Sequence, residues 1–446
     1  MFSNKIPSEI KRTFKLAAPV SLGQLGHIFM GVEDSVMVGR VGAAPLAAAS
    51  LVTGIFFLVL VIGYGVSSAV TPLTAISEGS DKKGECGIIL REGLFVAIAF
   101  SAIITAILFF ISQNMELLAQ PIDVTNFASS YLFILAMSVL PMMLFQNYRN
   151  YLEGLSMVNP PMIIALLANI GNIFINWLLI YGNWGMPKLG LNGAGFATLF
   201  TRTGMAVAII LYVHLSSKNK NYLYLFWKNK IDKKIIRKII AIGLPSGFQY
   251  FFEVAAFAFA AIMIGWMGKI QLAAHQIAMN LASITYMIIL GISSAGTIRV
   301  ATGLGKNSRK DIRHAGFSTL LLAMSFMAVS AILFLSLRNF LPLLYIENKE
   351  VINITSSLLI LAALFQIFDG LQATGLGILR GLKDTKVPTL ITFVSYWIIG
   401  IPIGYVLGFH FNLKAFGVWI GLSISLALVA ITLAIRFNSK SNRMGE

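Results

Sequence analysis

The sequence has little charge and almost no cysteine. Only 12% of its 446 residues are charged, against about 25% in a typical soluble domain, whereas 57% are hydrophobic and the mean hydropathy is +0.80. The single cysteine, Cys86, excludes an intrachain disulfide, and no cysteine or histidine cluster has metal-ligand spacing. The GxxxxGK[ST], HExxH and GxSxG motifs are also absent, so nothing in the sequence indicates an enzyme.

Long apolar runs are present instead, and they recur from one end of the chain to the other. This pattern is typical of a polytopic membrane protein, and the run lengths predict an all-α fold with twelve transmembrane helices. No segment is left that could form a separate soluble domain. We place the helices near residues 13–39, 46–77, 88–112, 127–150, 159–181, 191–216, 235–266, 271–301, 313–337, 349–380, 386–408 and 415–437.

The net charge of +16 would suit nucleic acid, but its distribution favours a membrane. Most of the 34 lysine and arginine residues fall in alternate connections between the apolar runs. By the positive-inside rule these connections are cytoplasmic, and so are both termini. We therefore expect a lipid bilayer as the surroundings and no nucleic-acid partner.

The two halves of the chain repeat one another at an offset of 226 residues. Pro19 pairs with Pro245, and GVSSAVT at 65–71 repeats as GISSAGT at 291–297. We predict an amino-terminal lobe at 1–216, a cytoplasmic linker at 217–234 and a carboxyl-terminal lobe at 235–446. Because each repeat has an even number of spans, the two six-helix repeats should be parallel, with a central cavity between them. Such a cavity permits alternating access, but a simple pore could form there too.

Three acidic residues interrupt apolar helices: Asp34, Glu253 and Asp369. An ionised side chain at mid-bilayer costs at least about 2.5 to 3.5 kcal/mol, so each acid must face protein, water or a ligand. Each could be a structural hydrogen-bonding group, and Arg202 in the sixth helix could neutralise one of them. Alternatively, the acids bind protons, Na⁺ or cationic solutes. Glu33, beside Asp34, lies near the helix end and is expected to be solvated.

The fifth helix carries three amides on one face, at Asn169, Asn172 and Asn176. Amides at this spacing either join helices through hydrogen bonds or donate oxygen to a monovalent cation. In the sixth helix, Thr198 could add a hydroxyl oxygen to the same place. The sequence alone leaves both roles open.

Four motifs together resemble the multidrug and toxic compound extrusion (MATE) family, in particular its NorM-type branch. They are AAPVSLGQL in the first helix, MVGRVGAAPLAAASL after it, LAAHQIAMN in the eighth and GILRGLKDTKVP after the tenth. The resemblance covers essentially the whole chain. It implies a bacterial-type inner-membrane antiporter, expected to be a monomer, that exports organic cations and drugs in exchange for Na⁺ or H⁺. No cofactor is implied beyond that coupling ion.

The resemblance also implies roles for particular residues. It assigns a cation cluster in the amino-terminal lobe, whose members are the candidate Na⁺ ligands Asp34, Asn172, Asn176 and Thr198. It assigns cation coupling or substrate binding in the other lobe to Glu253 and Asp369, with Tyr286 beside them.

Weaker matches complete the set implied by the resemblance. Gln276 occupies a substrate-contacting position, as Asp34, Glu253 and Asp369 do, and Pro19 occupies a hinge in the first helix. Phe365 stands where some relatives have tyrosine, which leaves the ion coordination near Asp369 in question.

Three other functions stay open at this stage. A flippase of a lipid-linked saccharide, from the same superfamily, would need basic residues in the cavity to bind pyrophosphate, whereas the predicted interior is acidic. A channel would be expected to have a symmetric filter, which two unequal repeats do not supply. An intramembrane protease could use Glu253 and Asp369 as a pair of catalytic carboxylates, but no protease motif supports it.

Overall fold

The computed structural model describes residues 6–227 and 230–443, with the backbone only for Ile6 and His27. Parts of the predicted lobes and linker, residues 1–5, 228–229 and 444–446, lie outside the described residues. All regular secondary structure in the described residues is helical. Its twelve long helices are α1 (Ile6–Gly39), α2 (Ala43–Gly79), α3 (Lys83–Gln113), α4 (Ile122–Met137 with Val139–Gly154), α5 (Asn159–Tyr181), α6 (Leu191–Leu215), α7 (Lys233–Trp266), α8 (Lys269–Gly305), α9 (Arg309–Leu337), α10 (Lys349–Gly381), α11 (Lys386–His410) and α12 (Lys414–Arg443).

These helices have the length and composition of membrane spans. Ten of those in the described residues are long and apolar enough to cross a bilayer, or eleven when the two parts of α4 count as one span. The helix α1 is not among them, because Gln24, Glu33 and Asp34 interrupt its apolar length. The predicted class, an all-α polytopic membrane protein, is confirmed.

Contacts divide the chain into two compact units that do not coincide with the sequence repeats. Unit 1 contains Met1–Ser21 and Phe248–Glu446, and unit 2 contains Leu22–Gly247. Helices α1 and α7 each change unit two residues after an internal proline, Pro19 and Pro245. A proline inside a helix removes one backbone hydrogen bond and favours a bend. The lobes predicted from the repeats stay a prediction, since the units follow contact rather than duplication.

Glycine allows close backbone contact at equivalent places in the two units. In unit 2, a Cβ on Gly65 of α2 would lie 2.7 Å from the carbonyl carbon of Ser246 in α7, and closer still to Gly247. In unit 1, a Cβ on Gly291 of α8 would lie 2.6 Å from the backbone nitrogen of Ser21 in α1. At the repeat offset Gly65 corresponds to Gly291, and Ser21 to Gly247. The first residue of each repeated Gly-x-Ser-Ser motif therefore makes a helix-to-helix contact.

Two helices depart from regular geometry for reasons visible in the sequence. The two parts of α4 meet at an angle of 41°. Pro141 follows this bend and has no N–H to bond the carbonyl of Met137, which is a common cause of kinks. Helix α11 contains two π-helical stretches, Val394–Gly400 and Val406–His410, on either side of Pro402. Proline has no N–H to donate, so the regular hydrogen-bond pattern of an α-helix is interrupted at Pro402, and π-helical turns are one form that such an interruption takes.

The connection between α6 and α7 is held against unit 2. Arg91 of α3 donates to the carbonyl oxygens of Phe226, at 3.1 Å, and Lys230, at 2.8 Å. The hydroxyl of Tyr222 donates to Glu78 of α2 at 3.0 Å. Burial, with Glu78 nearby, raises the pKa of Tyr222 to about 12, so this donor keeps its proton at physiological pH. The described part of the predicted linker therefore packs against α2 and α3.

Candidate functional site

Unit 2 contains hydrogen bonds that join α1, α5 and α6 through Asp34, Asn176, Asn172 and Thr201. We call these four residues, with Thr198 of α6, the amide cluster. The side-chain nitrogen of Asn176 donates to Asp34 Oδ1 at 2.5 Å and lies 3.1 Å from Asn172 Oδ1. The nitrogen of Asn172 donates to Thr201 Oγ1 at 3.2 Å. Both asparagines are fully buried, whereas Asp34 is half-buried. The structure thus brings together three of the residues that the sequence assigned to a cation cluster, Asp34, Asn172 and Asn176.

Two oxygens of the amide cluster have no hydrogen-bond donor among the described residues. They are Asn176 Oδ1 and Thr198 Oγ1, and both are buried. The amide nitrogen of Asn176 faces the acceptors Asp34 Oδ1 and Asn172 Oδ1, which leaves its oxygen on the other side. Buried oxygens without donors, beside a carboxylate, fit the ligand preference of a hard cation.

Asn169 takes the structural role that the sequence had left open for it. Its side-chain nitrogen donates to the carbonyl oxygen of Gly26 in α1 at 2.8 Å. It shares a face with Asn172 and Asn176 but ties α5 to the α1 backbone. Glu33 is less solvated than expected, since its Oε1 is buried without a partner in the described chain.

Sequence reasoning named Arg202 as an interior base but missed the residues that hold it. Arg202 Nη1 donates to Ser138 Oγ at 2.6 Å, and the guanidinium lies over the ring of Phe56 at 4.9 Å. Ser138 lies at the bend of α4, so the kink places its hydroxyl where Arg202 can reach it. No sequence signal identified Ser138, because its position depends on packing between α4 and α6.

Unit 1 contains a second polar site, which we call the acid pair: Glu253 of α7 and Asp369 of α10. Only 6% of Glu253 is exposed. Its carboxylate accepts a hydrogen bond from Gln249 Nε2 at 3.3 Å, and Tyr286 Oη of α8 lies 3.5 Å from it, the long limit for a hydrogen bond. The position of Tyr286 beside Glu253 agrees with the sequence expectation.

Asp369 is buried to about the same extent as Glu253 but lacks the hydrogen bonds that Glu253 accepts. It is 5% exposed, and no described residue donates a hydrogen bond to it. It interacts electrostatically with Glu253, a group of like charge. The structure therefore holds two buried acids near each other, with hydrogen-bond donors for only one of them.

Glutamines and a tyrosine surround the acid pair. Gln372, one turn after Asp369 on α10, is fully buried, and its Nε2 has no hydrogen-bond partner among the described residues. Its Oε1 accepts a hydrogen bond from Tyr396 of α11 at 3.1 Å. Sequence reasoning missed Gln249 and Gln372, although helical spacing from Glu253 and Asp369 could have found both.

Three other residues named from the sequence take no part in the hydrogen bonds of the acid pair among the described residues. Phe365 is 2% exposed, and its ring packs against Phe257 and Trp419, with centroids 6.0 and 5.3 Å away. Gln276 is exposed and precedes Tyr286 by ten residues, which is about 15 Å along α8. Pro19 lies inside α1, next to the change of unit. Their functional roles stay predictions.

A helical membrane chain made of two repeats, with buried acids and amides in its spans, has the composition of a secondary transporter. Comparison with protein families places the chain more narrowly. It matches the MatE family over residues 19–178 and 245–406, one segment in each repeat. The protein therefore belongs to the MATE family of transporters, as the motifs indicated, and this is a family of transporters rather than enzymes.

Solved structures share this fold over almost the whole chain. The eukaryotic MATE transporter AtDTX14 is 19% identical, with 99% of each chain covered and a TM-score of 0.89. A MOP superfamily transporter from Pyrococcus furiosus is 18% identical, with 98% of this chain and 97% of that chain covered and a TM-score of 0.90. A multidrug resistance MATE transporter in an outward-facing conformation is 19% identical, with 98% and 96% covered and a TM-score of 0.88. At these identities the likeness shows the fold.

Proposed function

We propose that this protein is a cation-coupled antiporter, of the NorM-type branch, that exports organic cations and drugs by alternating access. The coupling cation is Na⁺ or H⁺. We place it in a bacterial-type inner membrane as a monomer, with both termini in the cytoplasm, because basic residues concentrate in alternate connections. One observation carries the proposal: the Asp369 side chain is buried, and no described residue donates a hydrogen bond to its carboxylate.

The surroundings of Asp369 require a positive partner. A carboxylate that is 5% exposed and accepts no hydrogen bond is costly by several kcal/mol when it is charged. The negative charge of Glu253 adds to that cost. A proton, a Na⁺ ion or the positive group of a substrate neutralises this charge, whereas the hydrocarbon chains of the lipid cannot neutralise it. The acid pair is therefore the proposed place where coupling cation and substrate compete.

Competition at one site is sufficient for exchange. A substrate that neutralises Glu253 and Asp369 weakens the binding of the coupling cation to them, and a bound coupling cation weakens the binding of the substrate in the same way. If the loaded forms change access and the unloaded form does not, export of one positive group requires import of another. Gln249 and Tyr286 then serve as donors that keep Glu253 in position when its cation leaves.

The amide cluster is the proposed second cation site. Asp34 supplies charge, and Asn172, Asn176 and Thr198 supply neutral oxygens. This donor set suits Na⁺, whereas the acid pair suits a proton equally well. A lipid-linked saccharide flippase is less well supported, since the amide cluster and acid pair together hold three acids, whereas two bases of the described residues, Arg202 and Arg380, interact with them.

The test uses protein reconstituted in liposomes and loaded with ethidium, with Na⁺ and proton gradients imposed separately. We expect Glu253→Gln and Asp369→Asn to abolish gradient-driven efflux while leaving the reconstituted amount of protein unchanged. Glu116→Gln and Asp123→Asn are matched controls, because they make the same changes at exposed acids. They should transport as the unmodified protein does. Full efflux by Glu253→Gln and Asp369→Asn would remove the acid pair from coupling.

A further inference from the structure

Arg380 lies in the last turn of α10, and its side chain contacts α7 of the same unit. Its Cζ lies over the ring of Tyr250, 5.2 Å from the ring centroid. Helical side chains tilt toward the N-terminus of their helix, which for Arg380 is the direction of Asp369. The guanidinium is therefore held beside α7 and does not extend past the end of α10.

The guanidinium of Arg380 lacks the partners that an arginine at a helix end can have. Such an arginine bonds the last carbonyl oxygens of its helix or places its charged group in water. Among the described residues, Arg380 donates no side-chain hydrogen bond and forms no ion pair, and its Nε is buried without an acceptor. The dipole of α10 favours a positive charge at this end but does not explain a buried, unbonded nitrogen.

The ring contact places Arg380 near the acid pair. Tyr250 precedes Glu253 by three residues, so the two side chains lie about one turn apart on the same face of α7. The 5.2 Å ring contact and a turn of about 5 Å put the guanidinium within roughly 10 Å of the Glu253 carboxylate. Arg380 interacts electrostatically with Glu253, although the two form no ion pair. The acid pair therefore has a fixed positive charge of the protein nearby but not in contact with it.

We propose that Arg380 is a built-in counter-ion of the acid pair: it weakens the binding of every cation to Glu253 and Asp369 and so allows that cation to leave. The proposal rests on the proposed antiport and adds a positioning residue to it. Arg380 acts through its charge and binds no substrate. The Tyr250 ring stabilises the guanidinium at a distance from which it repels a bound cation without replacing it.

An exchanger must release each cation as well as bind it. Two buried acids hold a cation tightly, and slow release then limits turnover. A single positive charge about 10 Å away, at an effective dielectric constant of about 20, weakens the binding of a monovalent cation by roughly tenfold. Arg380 is half-buried. Because water reaches part of the side chain, screening reduces this effect to about three- to tenfold.

The test measures whether removal of this charge tightens the binding of cations. Ethidium and propidium are the probes, because propidium carries the ring system of ethidium with a second positive charge. Their binding to the purified full chain in detergent micelles is measured by fluorescence polarisation at alkaline pH, where protons compete least. We expect Arg380→Gln to lower the dissociation constant of ethidium by about three- to tenfold, and that of propidium by a larger factor, since the repulsion acts on charge.

Three further variants separate the charge from other effects. Arg380→Lys keeps the charge and should bind both dyes as the unmodified protein does. Arg380→Met removes the charge but keeps a long side chain over the Tyr250 ring, so it should tighten binding as Arg380→Gln does. Lys383→Gln makes the same change of charge at an exposed residue after α10 and should leave both dissociation constants unchanged. Unchanged or weaker binding in the uncharged Arg380 variants, or an equal gain for both dyes, would overturn the proposal.

Transport separates this proposal from the antiport on which it rests. In proteoliposomes under imposed Na⁺ and proton gradients, Arg380→Gln should lower both the KM for ethidium and the maximal rate, because tighter binding slows release. Tighter dye binding by Arg380→Gln, with no gradient-driven movement of either dye in the unmodified protein, would refute the antiport and support the counter-ion. Efflux that Glu253→Gln abolishes, with dye affinities that do not respond to Arg380→Gln, would support the antiport and refute the counter-ion.

Discussion

Gly65→Ala should force α2 and α7 apart in unit 2. The added Cβ would lie 2.7 Å from the carbonyl carbon of Ser246. The favourable separation of two such carbon atoms is about 3.5 to 4.0 Å, so the helices must move apart by about 1 Å or more. The obstructing atoms belong to the backbone, and no side chain can rotate away. Overpacking of this kind typically costs about 1 to 3 kcal/mol.

A matched control isolates that packing cost. Gly54 lies on the same helix, and a Cβ there would meet nothing within 4 Å. Both Gly→Ala changes gain helix propensity of roughly 0.5 to 1 kcal/mol, so the difference between them is the packing cost alone.

The assay is thermal unfolding in detergent micelles at one scan rate, with the buried thiol of Cys86 as the reporter. We expect Gly65→Ala to unfold at a lower temperature than the unmodified protein and Gly54→Ala to unfold at the same or a higher one. Gly291→Ala, at the equivalent contact, should behave like Gly65→Ala. The reasoning about backbone contact is refuted when the Gly65 and Gly54 variants unfold together.

Polar and buried groups elsewhere give three further expectations. Glu9→Gln and Arg299→Met each break the largely buried ion pair between these residues, while Glu9 keeps Arg12 and Arg299 keeps its hydrogen bonds to Thr13 and Ser318. Each change should therefore cost about 1 to 3 kcal/mol and lower the unfolding temperature, and the double variant should lose less than the sum. Cys86 is fully buried and should react with N-ethylmaleimide only after denaturation; early labelling would contradict this. Arg91→Gln removes the donors to the linker carbonyls, so trypsin should cleave after Lys230 faster than in the unmodified protein, and an equal rate would count against the contact.

The lengths of the apolar runs predicted the number and the central parts of the helices well, but predicted the helix ends less well. The first helix was predicted at 13–39 and begins at Ile6, and the eighth was predicted at 271–301 and ends at Gly305. The extra turns of α1 are mostly polar and the extra turn of α8 is rich in glycine, so they add little to a hydropathy signal. They are stabilised by contacts such as Arg299 with Glu9, which join the end of α8 to the start of α1. Contacts between distant segments are not visible in local composition.

The candidate sites show the same division between local and distant information. Helical spacing placed Asn172 and Asn176 on one face, and the family resemblance added Asp34 from another helix. Spacing could also have supplied Gln249 and Gln372. By contrast, the anchor of Arg202 on Ser138 depends on the kink in α4 and on how α4 packs against α6, so no local pattern predicts it.

The repeats have kept their backbone contacts and lost the equivalence of their charged groups. Gly65 and Gly291 make equivalent helix contacts, but at the same offset Asp34 corresponds to Ala260, and Glu253 to His27. A glycine at a helix contact is constrained by the shape of both units, whereas a buried charge is constrained only by the ligand that it binds. Divergence of the acids with retention of the glycines is therefore expected when the two halves hold different ligands. If both halves bound the same cation in the same way, introducing an acid at Ala260 should add a second site of the Asp34 kind; we expect instead a destabilised chain with no added cation binding, because Ala260 is fully buried in the core of unit 1 with no amide cluster around it.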